Sequence, residues 1–303
     1  MTDTPTDFSK GAAWMAGDVM PIAEAKISVL DWGLTHSDIT YDVVPVWNGA
    51  FFRLPDYLER FRASIDALKL FIPQSNDDIA AILHAIVARS GLRQAYCAMV
   101  ASRGVPLIPG SRDPRDCGNH FFAWVIPYVH VITPDVAERG CRLWISKSSR
   151  RIPEDSVNPR AKNYHWGDFT AGLIEAKEAG FDTTALLDHA GNVTEGPGFN
   201  VFAVKGDTVV TSDHGVLHGL TRRTVLELCA ARGLGCETRP LPLAELMEAD
   251  EVFLSSSGGG AIPVTQVDDR VFSNGSPGPL ARSLRADYFA LLEDGALSQP
   301  VAY

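Results

Sequence analysis

Seven lysines occur in the chain, and six of them have an evident solvent-facing place. Lys10 lies in a polar N-terminal tail, Lys26 begins an expected strand, Lys69 ends an amphipathic helix, and Lys147 sits among serines. Lys177 falls on a charged helix face, and Lys205 occupies a Lys-Gly-Asp turn. Lys162 has no such place: it sits in Asn158-Pro159-Arg160-Ala161-Lys162-Asn163-Tyr164-His165-Trp166, beside aromatic residues and ahead of a helix. An amine partly desolvated by aromatic rings can serve as a nucleophile or base. The same surroundings also suit a lysine whose stem packs at a domain interface while its head stays in water.

Three more segments carry chemistry. Glu195 lies among glycines in Thr194-Glu195-Gly196-Pro197-Gly198-Phe199-Asn200, where the backbone can approach a flat ligand closely. A β-turn explains those glycines and prolines but gives Glu195 no task. Gly219-Leu220-Thr221-Arg222-Arg223 precedes a helix whose first N–H groups favour a phosphate; a plain cap with solvated arginines is the alternative. Ser255-Ser256-Ser257-Gly258-Gly259-Gly260 offers small hydroxyls and open backbone to an anion, or is simply a turn. An amine, a carboxylate and two phosphate-sized nests in one half of the chain are what pyridoxal 5′-phosphate (PLP) asks for. Neither glycine-rich segment has the spacing of a nucleotide-binding loop.

The elements that must position these residues read as follows. Strands are expected at 26–30 and 41–47, with a hairpin at Asn48-Gly49. A helix follows Pro55-Asp56 with Leu58, Phe61, Ile65 and Leu68 on one face, and a second is capped by Asn76-Asp77-Asp78. Strands at 95–102 and 120–126 flank a mobile loop, 104–118. The second half opens on a strand at 141–147 and a helix at 166–178. A meander follows at 184–188, 199–204 and 208–211, then helices at 222–232 and 279–292 around a strand at 251–255. Strands and helices mix without regular βαβ alternation, which predicts an α+β fold. The expected organisation is a small domain over 1–130, a linker over 131–139 and a larger domain over 140–303.

Composition narrows the function. The 303 residues are 46% hydrophobic and 21% charged, with a formal net charge of −10, which excludes wholesale disorder and disfavours nucleic acid as a partner. No run of 18 apolar residues predicts a membrane span. The five cysteines show no C-x-x-C spacing, so neither a metal nor a redox site is expected. Met1–Lys10 is polar, so no signal peptide is expected, and the chain is placed in the cytoplasm.

Five segments together resemble the fold-type IV PLP-dependent aminotransferases, the branched-chain and D-amino-acid aminotransferase superfamily. They are His36-Ser37-Asp38-Ile39-Thr40-Tyr41-Asp42-Val43, Phe51-Phe52-Arg53-Leu54, Lys162 to Asp168, Thr194 to Asn200, and Gly219 to Arg222. Within that group the chain is most similar to the (R)-selective amine transaminases. The resemblance implies a small N-terminal α/β sandwich-like domain, a larger domain with a β-barrel-like core flanked by helices, and a homodimer with its active site at the interface. It makes Lys162 the lysine that carries the cofactor, Glu195 the partner of the ring nitrogen, and Arg60, Leu220, Thr221 and Ser257 the phosphate site. By helix position alone Arg60 would be solvated. His36, Tyr41, Tyr96 and Ala98 match substrate-pocket positions; Ala98 stands where relatives often carry a larger polar residue. Pro109 stands where relatives place an arginine for the keto-acid carboxylate, and Arg112 or Arg115 is left to replace it. The implied reaction passes an amino group from an (R)-configured amine to a keto acid such as pyruvate. The alternative is a D-amino-acid or branched-chain transaminase, or a 4-amino-4-deoxychorismate lyase-like enzyme, on the same scaffold.

Overall fold

A computed structural model of the chain describes residues 7–303. Of the expected polar tail 1–10, residues 1–6 lie outside the described residues. The described residues divide into two compact units: those up to 129, with 161–164 and 292–303, form the first, and 130–160 with 165–291 form the second. The short strap 161–164 and the C-terminal residues therefore group with the N-terminal unit, although long stretches of sequence separate them from it.

The first unit is a seven-stranded antiparallel sheet. Its strands are β1 (Ala12–Met15), β2 (Asp18–Pro21), β3 (Ile39–Trp47), β4 (Ala50–Phe52), β5 (Ala95–Pro106), β6 (Cys117–Pro127) and the C-terminal Ser298–Pro300, in the order C-terminal strand, β4, β3, β5, β6, β1, β2. The Asn48-Gly49 hairpin forms as expected: both residues take positive φ, 50° and 80°, which matches the twist of the flanking strands. Helices α1 (Trp32–Thr35), α2 (Leu54–Ala67) and α3 (Asn76–Ser90) complete the unit. Ser75, one residue before the expected cap, caps α3 by a reciprocal pair of bonds with Asp78.

Two expectations fail here. Residues 26–30 form no strand: they are loop and turn, with Val29 and Leu30 76% and 65% exposed, so apolar character there does not reflect a core. The expected mobile loop is shorter, because Val105 and Pro106 pair with Gly118 and Cys117 in the β5–β6 ladder, past an irregularity at 103–104.

Asp31 shows how the first unit places His36. Its buried carboxylate caps α1 at Gly33 N–H (2.7 Å), accepts from Ser102 Oγ (2.5 Å) and meets His120 Nε2 (2.6 Å). Burial alone would raise its pKa, but the bonds from His120, Ser102 and Gly33 outweigh it and hold the group below the usual carboxylate range. A depressed acid contributes stability above its unfolded pKa of about 3.9 and loses it as pH falls through the folded value. Asp31→Asn is expected to cost about 1–3 kcal/mol at pH 7. The gap to the wild type should shrink below about pH 4. Urea unfolding between pH 3 and 7 checks this; a gap that grows on acidification would contradict it.

The second unit is built on an eleven-stranded mixed sheet. Its strands are β7 (Cys141–Arg150), β8 (Thr183–Leu187), β9 (Asn192–Val193), β10 (Glu195–Gly196), β11 (Phe199–Lys205), β12 (Thr208–Thr211), β13 (Gly235–Thr238), β14 (Leu241–Pro242), β15 (Glu251–Ser256), β16 (Gly260–Val267) and β17 (Arg270–Val271). The run β7–β8 and the step β16–β7 are parallel, and β11, β15 and β16 are antiparallel. Helices α4 (Pro134–Arg139), α5 (Gly167–Glu178), α6 (Leu220–Ala231), α7 (Leu243–Met247) and α8 (Pro279–Asp294) accompany it, α8 ending in the first unit. One apolar cluster joins Leu143, Ile145, Val201, Leu254, Ile262 and Phe272; a second joins Phe202 and Phe253 to Val225 of α6 and Leu284 of α8. The α+β reading holds. Sequence periodicity missed β13, β14, β16 and α7, which are short or lack alternation.

Candidate active site

In the first unit the strap around Lys162 is held by backbone atoms. Lys162 N–H donates to Ser64 Oγ at 3.2 Å, and its carbonyl accepts from Thr40 Oγ1 at 2.6 Å and Tyr41 N–H at 3.2 Å. Asn163 forms a β-bridge with Thr40. The strap thus lies along β3, and its side chains alternate as in a strand. The Lys162 amine sits 4.5 Å from the centroid of the Tyr41 ring, and Tyr164 stacks on that ring at 4.0 Å and 7°. Burial drives the Tyr96 hydroxyl up to about 12 despite the nearby Lys162 charge, and burial also raises Tyr164. The Lys162 amine thus faces the Tyr41 ring, and Tyr164 stacks on that ring.

Cross-strand register extends this face. Ala98 lies between Val43 and Trp124 across the ladder, Val100 lies between Tyr41 and Phe122, and Tyr96 stacks on Trp124. Ala98 is fully buried in this row. His36 ends α1, exposed, with its ring stacked on Trp32 at 4.4 Å.

Arg60 is not solvated. It reaches from α2 to the fully buried Asp42 carboxylate in a two-pronged bond, Nε to Oδ2 at 2.8 Å and Nη2 to Oδ1 at 2.7 Å. Burial opposes its charge, and Asp42 overrides burial to raise its pKa, so the guanidinium stays cationic. The pair fixes one edge of the guanidinium.

Arg112 and Arg115 lie on the loop joining β5 to β6, with the Arg115 side chain 86% exposed and bonded to Asp113. Tyr96 is at the opposite end of β5, about 30 Å away along the strand at about 3.3 Å per residue. The fold does not bring these arginines to Tyr96 within one chain.

In the second unit two segments read separately from sequence come together. Gly219 begins α6 with no side chain capping it, and Ser257 sits in the tight turn between β15 and β16. Thr221 Oγ1 and Ser257 Oγ are 3.2 Å apart, so the helix start and the triple-glycine turn form one polar corner beside the buried Leu220. Gly219 is required there: an added Cβ would meet Asn200 Oδ1 at 2.4 Å. Glu195, on β10, is buried, and both of its carboxylate oxygens accept: Oε1 from Arg151 Nε at 3.2 Å and Oε2 from Leu217 N–H at 2.9 Å.

Sequence reading gave no role to Asp42, Arg151, Asp168 and Tyr164, which the structure places against Arg60, Glu195, Arg151 and Tyr41 respectively. A signal existed for Asp42, a lone carboxylate in the otherwise uncharged run Ile39 to Val46. Arg151 was visible only as half of an Arg-Arg pair, and its burial could not be read from that.

The residues present fit PLP. A tyrosine-flanked amine suits its aldehyde, an acceptor-only carboxylate suits a protonated ring nitrogen, and an uncapped helix start with two hydroxyls suits its phosphate. Among the described residues no group of three His, Cys, Asp or Glu side chains could hold a metal ion, and no helix is long and apolar enough to cross a membrane.

Comparison with known proteins agrees. Residues 40–267 match the family described as amino-transferase class IV. The chain is 31% identical over 278 residues to a putative branched-chain-amino-acid aminotransferase of Methanocaldococcus jannaschii, covering 91% of this chain and 94% of that one. It is 27% identical to a D-alanine aminotransferase of Listeria monocytogenes, covering 88% and 90%. A crystal structure of the T.th. branched-chain amino acid aminotransferase with pyridoxamine 5′-phosphate superposes with a TM-score of 0.88 at 27% identity, covering 97% and 99%. By the family match over residues 40–267 and these relatives, the chain belongs to the class IV aminotransferases and is a PLP-dependent enzyme.

Proposed function

We propose that the enzyme moves an amino group from an (R)-configured primary amine to a keto acid such as pyruvate. The observation that carries this reading is the character of the face around Lys162. Tyr41, Val43, Tyr96, Ala98, Val100, Phe122 and Trp124 are all uncharged and pack as one cluster, with Ala98 presenting only a methyl group opposite Trp124. A donor with an aromatic or alkyl group and no carboxylate suits such a surface, whereas an amino acid needs a cation there.

In this reading Arg60, Leu220, Thr221 and Ser257 bind the cofactor phosphate, Lys162 carries its aldehyde carbon, and Glu195 faces its ring nitrogen. The cofactor, when bound, supplies an electron sink for the carbon that loses its proton. Lys162 would take that proton from the substrate carbon and return it, general acid–base work that suits an amine packed against the Tyr41 ring. Tyr41 and Tyr164 keep the amine's surroundings apolar and orient its approach. His36, Tyr96 and Ala98 bound the substrate. A homodimer fits the exposed apolar residues Val29, Leu30 and Leu34 that lead to His36, and it is the arrangement in which Arg112 or Arg115 can serve a substrate held by the other copy. Five free cysteines fit a reducing compartment, the cytoplasm.

The second reading is a branched-chain or D-amino-acid transaminase, favoured by the names of the similar proteins. Initial rates with (R)-1-phenylethylamine, its (S)-enantiomer, D-alanine and L-leucine against pyruvate and 2-oxoglutarate separate the two. We expect kcat/KM for the (R)-amine to exceed that for either amino acid by at least about tenfold, or ~1.4 kcal/mol. Preference for L-leucine or D-alanine would replace the amine reading with the second one.

A further inference from the structure

Three charged side chains meet in the second unit, shielded from water. Arg151, directly after β7, donates from Nη1 to Asp168 Oδ2 at 2.7 Å and from Nε to Glu195 Oε1 at 3.2 Å; the three are 6%, 7% and 8% exposed. The guanidinium also lies 4.3 Å from the centroid of the Phe169 ring. Asp168 is fixed in turn, accepting from Ile152 N–H at 3.0 Å and Phe169 N–H at 2.8 Å. On the far side of Glu195, Leu217, whose N–H donates to Oε2, is itself held at its carbonyl, which accepts from Asn200 Nδ2 at 2.9 Å. Ions are buried at a cost that only good pairing offsets. Two carboxylates and one guanidinium leave this cluster one net negative charge, which suits a cationic ligand group.

We propose that Arg151 and Asp168 are positioning residues for the cofactor's ring nitrogen: Arg151, anchored by Asp168, holds Glu195 as a carboxylate so that the proton they share stays on the ring nitrogen. The proposal rests on the role given to Glu195 above. Moving that proton from the ring nitrogen to Glu195 would remove the ionic part of the Arg151–Glu195 bond and leave the buried guanidinium with Asp168 alone. Keeping it on the ring nitrogen preserves both ion pairs and adds a third. Arg suits this place because one planar fork serves two carboxylates from two different nitrogens, which a lysine ammonium cannot copy.

The test loads the full-length protein with PLP labelled with ¹⁵N in the ring and reads the ring nitrogen by NMR at pH 7.5. The wild type should show a protonated nitrogen. Arg151→Gln and Asp168→Asn should shift the signal toward the unprotonated value, and Arg151→Lys should fall between. Equilibrium dialysis should show PLP binding weakened about 10- to 100-fold in Arg151→Gln, as for loss of a buried bond to a charged group. If Arg151→Gln fails to melt cooperatively without cofactor, Asp168→Asn and Arg151→Lys decide by the same signal. Folded variants that bind PLP with the wild-type ring signal would overturn the proposal and leave Arg151 a structural residue. A wild type whose ring signal is unchanged by Glu195→Gln would overturn the role of Glu195, and this inference with it.

Discussion

Lys162→Ala yields a folded protein that lacks the visible absorbance of lysine-linked cofactor, about 400–420 nm. Its turnover falls by at least about three orders of magnitude. The fold survives because the strap is tied by backbone atoms: the Lys162 amide to Ser64, and its carbonyl to Thr40 and Tyr41. Alanine keeps all three bonds. Loss of the amine over the Tyr41 ring costs roughly 0.5–2 kcal/mol, which leaves a cooperative melt. Chemistry has no such reserve. Every other lysine near an acceptor is committed elsewhere: Lys147 pairs with Asp268, Lys177 donates to the Asp182 carbonyl, and Lys205 meets Asp250. Absorbance spectra and single-turnover rates of the purified variant check this. Retention of the visible band together with more than a tenth of wild-type turnover would remove Lys162 from its assigned role.

Glu195→Gln should lower turnover by about 10²–10⁴-fold, since a neutral amide cannot hold a protonated ring nitrogen by charge. Its effect on the protein differs from that of Lys162→Ala. Both oxygens of Glu195 accept from N–H donors, Arg151 on one side and the Leu217 peptide on the other. A glutamine has one acceptor oxygen and one NH2, so whichever way it turns, it sets a donor against a donor. The expected cost to the cofactor-free protein is about 1–3 kcal/mol, visible as a lower urea midpoint. Glu195→Asp keeps the charge but shortens the reach, and should retain more turnover than Gln. Near-wild-type turnover in Glu195→Gln would exclude the ring-nitrogen role even if stability falls as expected.

Some of this site was legible in the chain before any folding. Lys162 stood out because its neighbours are aromatic and its six fellow lysines had ordinary surroundings. Glu195 stood out because glycines surround a carboxylate that a turn does not need. These are local signals, carried within a few residues. The Asn48-Gly49 hairpin and the α2 periodicity are local in the same sense, since turn chemistry and helical spacing act over two to four residues. The run 26–30 misled for the converse reason: apolar composition is compatible with an exposed loop, and only tertiary packing decides which.

Partnership between distant residues was beyond local reading. Arg60 is 18 positions from Asp42, Arg151 is 44 from Glu195, and Thr221 is 36 from Ser257. Each pair forms because strands and helices with their own local reasons to exist carry these groups into contact, and burial then makes an ion pair or hydrogen bond obligatory. The sequence by itself determined which residue types are capable of the chemistry and which short elements carry them. Tertiary structure decided which of those residues lie out of water and beside which charge, because solvation and Coulomb energy depend on distances that sequence separation does not encode.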